Sequence, residues 1–128
     1  MSILSINGNA SMNFLLKTVL TGKCKLIPVS DVFQGMNKLK QNQEVELIII
    51  DVDYASEENW DFINHIRTSW LYAKPVIVLC SDKSDEMKEQ LAEAQVYDYF
   101  FKPFSPLELV KTIQEFMHAT TIPAYNKN

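Results

Sequence analysis

Two short, uninterrupted apolar runs constrain the fold of this chain more than any other feature. The first covers residues 47–50 and contains three isoleucines in succession, and the second covers residues 76–80. Both are far shorter than the roughly 20 residues that a membrane-spanning helix needs. A strand that is apolar at every position, instead of at every second one, is typical of a parallel sheet that helices cover on both faces. The sequence therefore predicts a buried parallel sheet.

Segments with helical periodicity alternate with the strand-like segments along the chain. The pattern predicts strands at about residues 3–6, 25–29, 45–50, 75–80 and 96–101, and helices at about residues 12–19, 32–39, 58–70, 84–94 and 106–118. Each crossover is long enough for parallel pairing, so we expect an α/β fold with an open, doubly wound sheet. Pro28 lacks a ladder N–H, which places the second strand towards an edge. Trp60 is expected to face the sheet, and Trp70 is expected either to face it as well or to pack at its edge.

Length, charge and cysteine usage limit the classes of function. A chain of 128 residues is expected to form one domain, which we place at residues 1–118, followed by a mobile tail at residues 119–128. The net charge of −4 argues against a nucleic-acid-binding surface and against binding to an anionic membrane. The two cysteines have no CxxC spacing, and the N-terminus lacks the pattern of a signal peptide. We therefore expect a cytoplasmic protein with reduced thiols.

The residues that leave the predicted strands lie at the edge of the sheet where ligands bind in doubly wound folds, and most of them are polar. They are Asn7, Gly8, Asn9, Asp51, Asp53, Cys80, Ser81, Asp82, Lys102 and Pro103. An aspartate after one buried strand and a lysine after another have electrostatic meaning, because the ammonium can pair with the carboxylate or hold an anion placed on it. The alternative is that strand-end aspartates cap turns and strand-end lysines reach solvent. Spacing alone leaves both interpretations open.

Three segments resemble the receiver domains of bacterial two-component response regulators. They are residues 46–51 (Glu-Leu-Ile-Ile-Ile-Asp), 75–79 (Pro-Val-Ile-Val-Leu) and 99–104 (Tyr-Phe-Phe-Lys-Pro-Phe). The last segment is the most specific, and the resemblance extends over about residues 2–118. It implies a flavodoxin-like fold, with a doubly wound sheet of five parallel strands in the order 2-1-3-4-5 and five helices.

The same resemblance implies roles for individual residues. Asp51 would accept a phosphoryl group from a histidine kinase, and Lys102 would contact the acyl phosphate. A cis peptide bond would precede Pro103. Cys80 takes the position of a switch threonine or serine, and Tyr99 takes that of a switch aromatic side chain. The chain is therefore not expected to be an enzyme, beyond slow autophosphorylation and dephosphorylation at Asp51.

The sequence departs from the family at the metal site. Receivers hold Mg²⁺ with two adjacent carboxylates after the first strand, where this chain has Asn7 and Gly8. Asp51 and Asp53 remain as weak candidate ligands, although we expect the Asp53 side chain to point to solvent. Mg²⁺ dehydrates reluctantly and depends on carboxylates, so we expect no cofactor or at most weak Mg²⁺ binding. If only the carboxylates were missing, Asn7→Asp with Gly8→Asp would rebuild the site. The loop at residues 54–56, Tyr-Ala-Ser, also departs from the family pattern.

Three functions fit these observations. In the one we favour, the chain is a pseudo-receiver in which Asp51 and Lys102 form a fixed ion pair, and it acts in phosphorelay signalling by contact with a partner. In the second, Asp51 is a working phosphoacceptor and Tyr99 responds to its phosphorylation. In either case a histidine kinase or another signalling protein would contact about residues 84–118. The third function, binding of a nucleotide or flavin, has only fold analogy behind it, because the chain has no GxGxxG motif.

Overall fold

Five strands and five helices alternate in the computed structural model, which describes residues 1–41 and 44–121. The strands are β1 (Ser2–Ile6), β2 (Lys25–Val29), β3 (Val45–Asp51), β4 (Val76–Cys80) and β5 (Asp98–Phe101). The helices are α1 (Ala10–Leu20), α2 (Val32–Gln41), α3 (Ser56–Thr68), α4 (Asp85–Glu93) and α5 (Pro106–Thr121). The predicted alternation of strand and helix is confirmed over the described residues.

The strands form one parallel sheet in the order β2-β1-β3-β4-β5. The predicted flavodoxin-like topology is confirmed. Pro28 lies on β2, which is at the edge of the sheet and pairs only with β1. Because no strand lies on its other side, the missing backbone N–H of Pro28 leaves no acceptor there without a partner. Because all strands run the same way, their carboxyl ends, and the polar residues that follow them, lie along one edge of the sheet.

The core has two layers, one on each face of the sheet. One layer packs residues of α2, α3 and α4, such as Leu39, Ile63 and Leu91, against the sheet. The other packs residues of α1 and α5, such as Leu16 and Ile113. Along β3 the apolar side chains are divided between the layers: the first layer takes positions 48 and 50, and the second takes 47 and 49. This division explains why β3 is apolar at consecutive positions.

The structure corrects the sequence-based assignment of Trp70. Trp60 is buried on α3 as expected, but the side chain of Trp70 is 91% exposed. The helix ends at Thr68, and the capping residue Ser69 has extended backbone, so the helical period stops before Trp70. The helical spacing of Trp70 indicated a buried side chain. Because the helix ends two residues earlier, the side chain is exposed instead.

The C-terminal helix is longer than the sequence pattern indicated. α5 continues through Thr121, so the first three residues of the predicted tail are helical. The remainder of that predicted tail, residues 122–128, lies outside the described residues. Within the described part of the chain, no helix is long and apolar enough to cross a membrane.

Candidate functional site

The end of β3 and the residue after β5 bring Asp51 and Lys102 into direct contact. Asp51 is the last residue of β3, and its side chain is buried. The backbone N–H of Lys102 donates to the carbonyl of Cys80, which aligns the chain after β5 with the end of β4. The Nζ atom of Lys102 lies 2.5 Å from Oδ2 of Asp51. The peptide bond between Lys102 and Pro103 is cis, as the resemblance implied.

Asp53 belongs to the same cluster: the residue is exposed, but its carboxylate is hydrogen-bonded to protein atoms instead of pointing freely to solvent as expected. Its Oδ2 accepts hydrogen bonds from Lys102 Nζ at 2.9 Å and from Ser81 Oγ at 2.6 Å. Its Oδ1 accepts one from the backbone N–H of Ser81 at 2.9 Å. Ser81 lies one residue beyond the end of β4, where strand alternation no longer fixes its direction. These donors and the shared ammonium turn the carboxylate inward.

The pKa values of Asp53 and Lys102 shift in favour of the charged side chains. Burial alone would raise the pKa of Asp53, but the hydrogen bonds from Ser81 and Lys102 outweigh it and lower that pKa. Burial would lower the pKa of Lys102, but the hydrogen bonds and negative charges of Asp51 and Asp53 outweigh it and raise that pKa. One cation thus serves two carboxylates at the carboxyl edge of the sheet.

The residues in place of the acidic pair after β1 are already engaged or sterically confined. Asn7 is buried, and its Oδ1 accepts a hydrogen bond from the backbone N–H of Asn9 at 2.8 Å. Its buried Nδ2 has no hydrogen-bond partner among the described residues. A Cβ atom built on Gly8 would lie 2.9 Å from both Cβ and Cγ of Tyr54. Aspartate has the shape of asparagine, so position 7 could take a carboxylate without extra space, whereas a side chain at position 8 would meet Tyr54.

The two proposed switch positions lie in different environments. Cys80 is fully buried, and its Sγ is 3.7 Å from the carbonyl oxygen of Asp82. Burial, followed by the nearby negative charges of Asp53, Asp82 and Asp51, raises the pKa of the Cys80 thiol to about 11. Tyr99 is exposed, and its ring centroid lies 5.3 Å from that of Phe101. Cys80 is therefore an unreactive thiol beside the cluster, and Tyr99 lies at the surface.

Sequence reasoning missed the site residue Asn59 and noted Tyr54 only as part of a loop that departs from the family pattern. Asn59 is buried near the start of α3, where its Nδ2 donates to the carbonyl of Asp51 at 2.8 Å and also to the carbonyl of Tyr54. Tyr54 and Asp51 both line a cavity of about 210 Å³ between the loops that follow β1, β2 and β3. An asparagine in the first turn of a predicted helix is usually an ordinary surface residue, so the spacing of Asn59 gave no signal of this role.

These residues do not fit a Mg²⁺ ion in the observed arrangement. All four carboxylate oxygens of Asp51 and Asp53 accept a hydrogen bond from Lys102, Ser81 or the backbone N–H of Asp53. The positive charge beside them is the ammonium of Lys102. In the described residues, no group of three or more acidic, histidine or cysteine side chains could hold a metal ion. An incoming dication would have to displace Lys102. It would also lack the two carboxylate ligands that family members provide after the first strand, where this chain has Asn7 and Gly8.

A five-stranded parallel sheet with a buried aspartate at the end of β3, paired to a lysine after β5, is typical of the receiver class of signalling domain. A family profile described as response regulator receiver domain matches residues 3–114. The chain therefore belongs to the response regulator receiver domain family.

Solved structures share the fold at low sequence identity. The Vibrio cholerae chemotaxis protein CheY4 is 22% identical, with a TM-score of 0.78, and the match covers 89% of this chain and 96% of that one. A two-component response regulator from Clostridium difficile is 18% identical, with a TM-score of 0.83, over 94% of this chain and 98% of that one. The Francisella response regulator 1452 receiver domain is 21% identical, with a TM-score of 0.82, over 93% and 98% of the two chains.

A curated relative is much longer than this chain. The hydrogenase transcriptional regulatory protein HoxA of Bradyrhizobium diazoefficiens is 25% identical over 114 residues. The match covers 89% of this chain but only 23% of that protein.

Proposed function

We propose that this chain is a receiver module of two-component signalling that acts by protein contact and in which Mg²⁺-dependent phosphorylation of Asp51 is degraded. One observation carries the proposal: the Lys102 ammonium contacts both Asp51 and Asp53. Phosphoryl transfer depends on positioning and on neutralisation of charge by a metal ion. Here an internal cation neutralises the carboxylates, and Asn7 and Gly8 supply no further negative charge.

The state of the Asp51 carboxylate also supports this reading. Its Oδ2 contacts Lys102 at 2.5 Å, and its Oδ1 accepts the backbone N–H of Asp53 at 3.0 Å. An attacking oxygen must give up one of these hydrogen bonds, and the transition state would have no dication to neutralise the phosphoryl oxygens. Both oxygens of the Asp51 carboxylate are thus held by hydrogen bonds from within the domain.

A working phosphoacceptor is the second candidate function. The contact between Lys102 and Asp51 favours it, because an ammonium at this place would also neutralise the oxygens of an acyl phosphate. The two candidates differ in whether Asp51 can accept a phosphoryl group at all, and a mass measurement distinguishes them.

The test is the intact mass of the protein after incubation with acetyl phosphate and Mg²⁺. We expect no phosphoryl adduct on the wild type, and none on Asp51→Asn, which keeps the shape of the side chain. In cells, Asp51→Asn should signal almost normally. A stoichiometric adduct on the wild type that is missing from Asp51→Asn would establish the phosphoacceptor instead.

The partner surface is proposed to lie within residues 84–118. Tyr97, Tyr99 and Leu107 expose large apolar side chains in this region, which favours contact with another protein. A cytoplasmic location is the second part of this proposal, because structural disulfides are typical of oxidising compartments and both cysteines of this chain are free thiols.

A further inference from the structure

Tyr54 lies across the mouth of the site. Its ring centroid is 5.5 Å from Nζ of Lys102, within the range of a cation–π interaction. Its hydroxyl oxygen accepts a hydrogen bond from Nδ2 of Asn9 at 3.4 Å. The same side chain lies so close to Gly8 that a Cβ atom added to Gly8 would be 2.9 Å from Cβ and Cγ of Tyr54. Tyr54 therefore contacts both the loop after β1 and the lysine after β5.

The backbone of the β3–α3 loop fixes this position. The buried Asn59 side chain donates to the carbonyls of both Asp51 and Tyr54, so the loop is tied to the end of β3. Ala55 has a left-handed conformation with φ of 48°, which turns the chain sharply into α3. A residue held at both its carbonyl and its ring has little freedom to leave the site.

We propose that Tyr54 is a positioning residue that closes this site to a divalent cation by filling the space beside Gly8 and holding Lys102 on the carboxylates. This inference deepens the proposed function and rests on it. It changes the expectation for the acidic pair: Asn7→Asp with Gly8→Asp would not rebuild a metal site, because a side chain at position 8 meets Tyr54. Restoring Mg²⁺ binding requires removal of Tyr54 as well.

The test is a titration of each protein with Mg²⁺ alone, measured by isothermal titration calorimetry. Four proteins are compared: the wild type, Tyr54→Gly, the acidic-pair variant Asn7→Asp/Gly8→Asp, and the acidic-pair variant combined with Tyr54→Gly. Glycine is needed at position 54 because alanine would keep the Cβ atom that lies 2.9 Å from the added group. We expect saturable binding only from the combined variant. Any residual binding by the acidic-pair variant should be weaker by about tenfold or more.

A matched control separates opening of the site from loss of an aromatic side chain. Tyr97 is 45% exposed and Tyr54 is 43% exposed, but Tyr97 packs on Phe116. Its backbone N–H donates to the carbonyl of Val76 at the start of β4, so Tyr97 lies at the amino edge of the sheet, opposite to Gly8. The acidic-pair variant combined with Tyr97→Gly should therefore bind no Mg²⁺. Equal binding by this control and by the Tyr54→Gly combination would overturn the role of Tyr54.

The remaining outcomes are distinguishable. Mg²⁺ binding by the wild type would overturn the proposed function itself. Binding by the acidic-pair variant as tight as that of the combined variant would overturn only the role of Tyr54, and so would a folded combined variant that binds nothing. If the charged variants do not fold, thermal melting of Gly8→Ala decides: we expect a lower Tm in the wild-type background and no loss in the Tyr54→Gly background. An equal loss in both backgrounds contradicts the proposal.

Discussion

At the scale of single residues, one ammonium group holds together two carboxylates at the carboxyl edge of the sheet. The side chain of Asp51 is completely buried, whereas Lys102 and Asp53 keep partial contact with solvent. Removal of one partner of a buried ion pair costs more than removal of both, because the remaining charge stays desolvated. The cluster is therefore more sensitive to loss of its cation than to loss of either carboxylate.

Lys102→Ala should destabilise the domain by about 1–3 kcal/mol, which is less than for a fully buried pair because the lysine is partly exposed. Asp51→Asn, which keeps the shape of the side chain but removes its charge, should cost less. Urea unfolding of both variants provides the free energies. The combination of Lys102→Ala with Asp51→Asn and Asp53→Asn should recover part of the loss; a greater loss in this combination would contradict the electrostatic explanation.

The alkaline limit of stability should depend on Cys80. Its pKa rises from 9.0 to about 11 on folding, so the unfolded thiol ionises first and the free energy of unfolding falls as the pH rises above 9.0. The raised pKa of Lys102 contributes stability below 10.5 that is lost as the pH rises through the folded pKa. Urea unfolding between pH 8 and 11, about the range of these titrations, should show a shallower fall for Cys80→Ala than for the wild type.

The acidic limit involves Asp53. Its folded pKa is lower than the usual 3.8, so its contribution is fully present above that value and is lost as the pH falls through the folded pKa. In the Asp53→Asn variant this part of the acid-induced loss should be missing, although the variant is less stable at neutral pH. A pH profile parallel to that of the wild type below pH 3.8 would show that Asp53 does not contribute.

Sequence reasoning found the residues of the cluster but not all of its contacts. Asp51 and Lys102 could be predicted because each follows a strand directly, and parallel strands bring their ends together. The directions of Asp53 and Ser81 could not, since both lie beyond the strand ends, where local hydrogen bonds decide the orientation. Tyr54 was recognised only as a departure from the family pattern, because its contact with Gly8 joins two loops far apart in sequence.

At the scale of secondary-structure elements, capping residues fix the helix boundaries. Asn9 accepts hydrogen bonds from the first turn of α1, and Ser84 accepts one from Met87 at the start of α4. The Ser84 cap could be predicted from the sequence, since a short polar side chain precedes apolar residues at helical spacing, whereas the sequence left Asn9 and Ser11 both open as the cap of α1. The end of α3 could not: its periodicity continues to Trp70, whereas its backbone does not.

Ser84→Ala should destabilise the domain by about 1 kcal/mol, because the backbone N–H of Met87 would lose its acceptor. Ser84→Asp keeps an acceptor at the same position and should restore most of that stability. Urea unfolding of the two variants gives the comparison. Equal losses in Ser84→Ala and Ser84→Asp would mean that the cap hydrogen bond does not stabilise α4.

At the scale of the whole molecule, the sheet and its two core layers are separate from the cluster that family members use for signalling. The buried apolar side chains of β3 and β4 pack on helices at both faces, and the polar residues lie at one edge. A parallel sheet of this kind could be predicted because residues 47–50 are apolar without interruption. The fold should therefore form without any bound ion.

Addition of millimolar Mg²⁺ should leave the Tm of the wild type almost unchanged. A ligand stabilises a protein in proportion to its occupancy, and a concentration below Kd contributes less than about 0.4 kcal/mol. Differential scanning calorimetry with and without MgCl₂ measures the effect, with NaCl at equal ionic strength as the control. A clear rise of the Tm with Mg²⁺ alone would contradict the assignment of Lys102 as the internal cation.

The two tryptophans give this domain two separate optical reporters. Trp60 lies on α3, where its side chain is 7% exposed and packs in the core layer. Trp70 lies in the loop after the same helix, where its side chain is 91% exposed. Fluorescence from Trp60 should be blue-shifted and protected from acrylamide, whereas that from Trp70 should be red-shifted and readily quenched. Because the sequence has only these 2 tryptophans, Trp70→Phe leaves a probe of the core and Trp60→Phe leaves a probe of the surface. Unfolding and partner docking can therefore be followed by emission at separate sites of one chain.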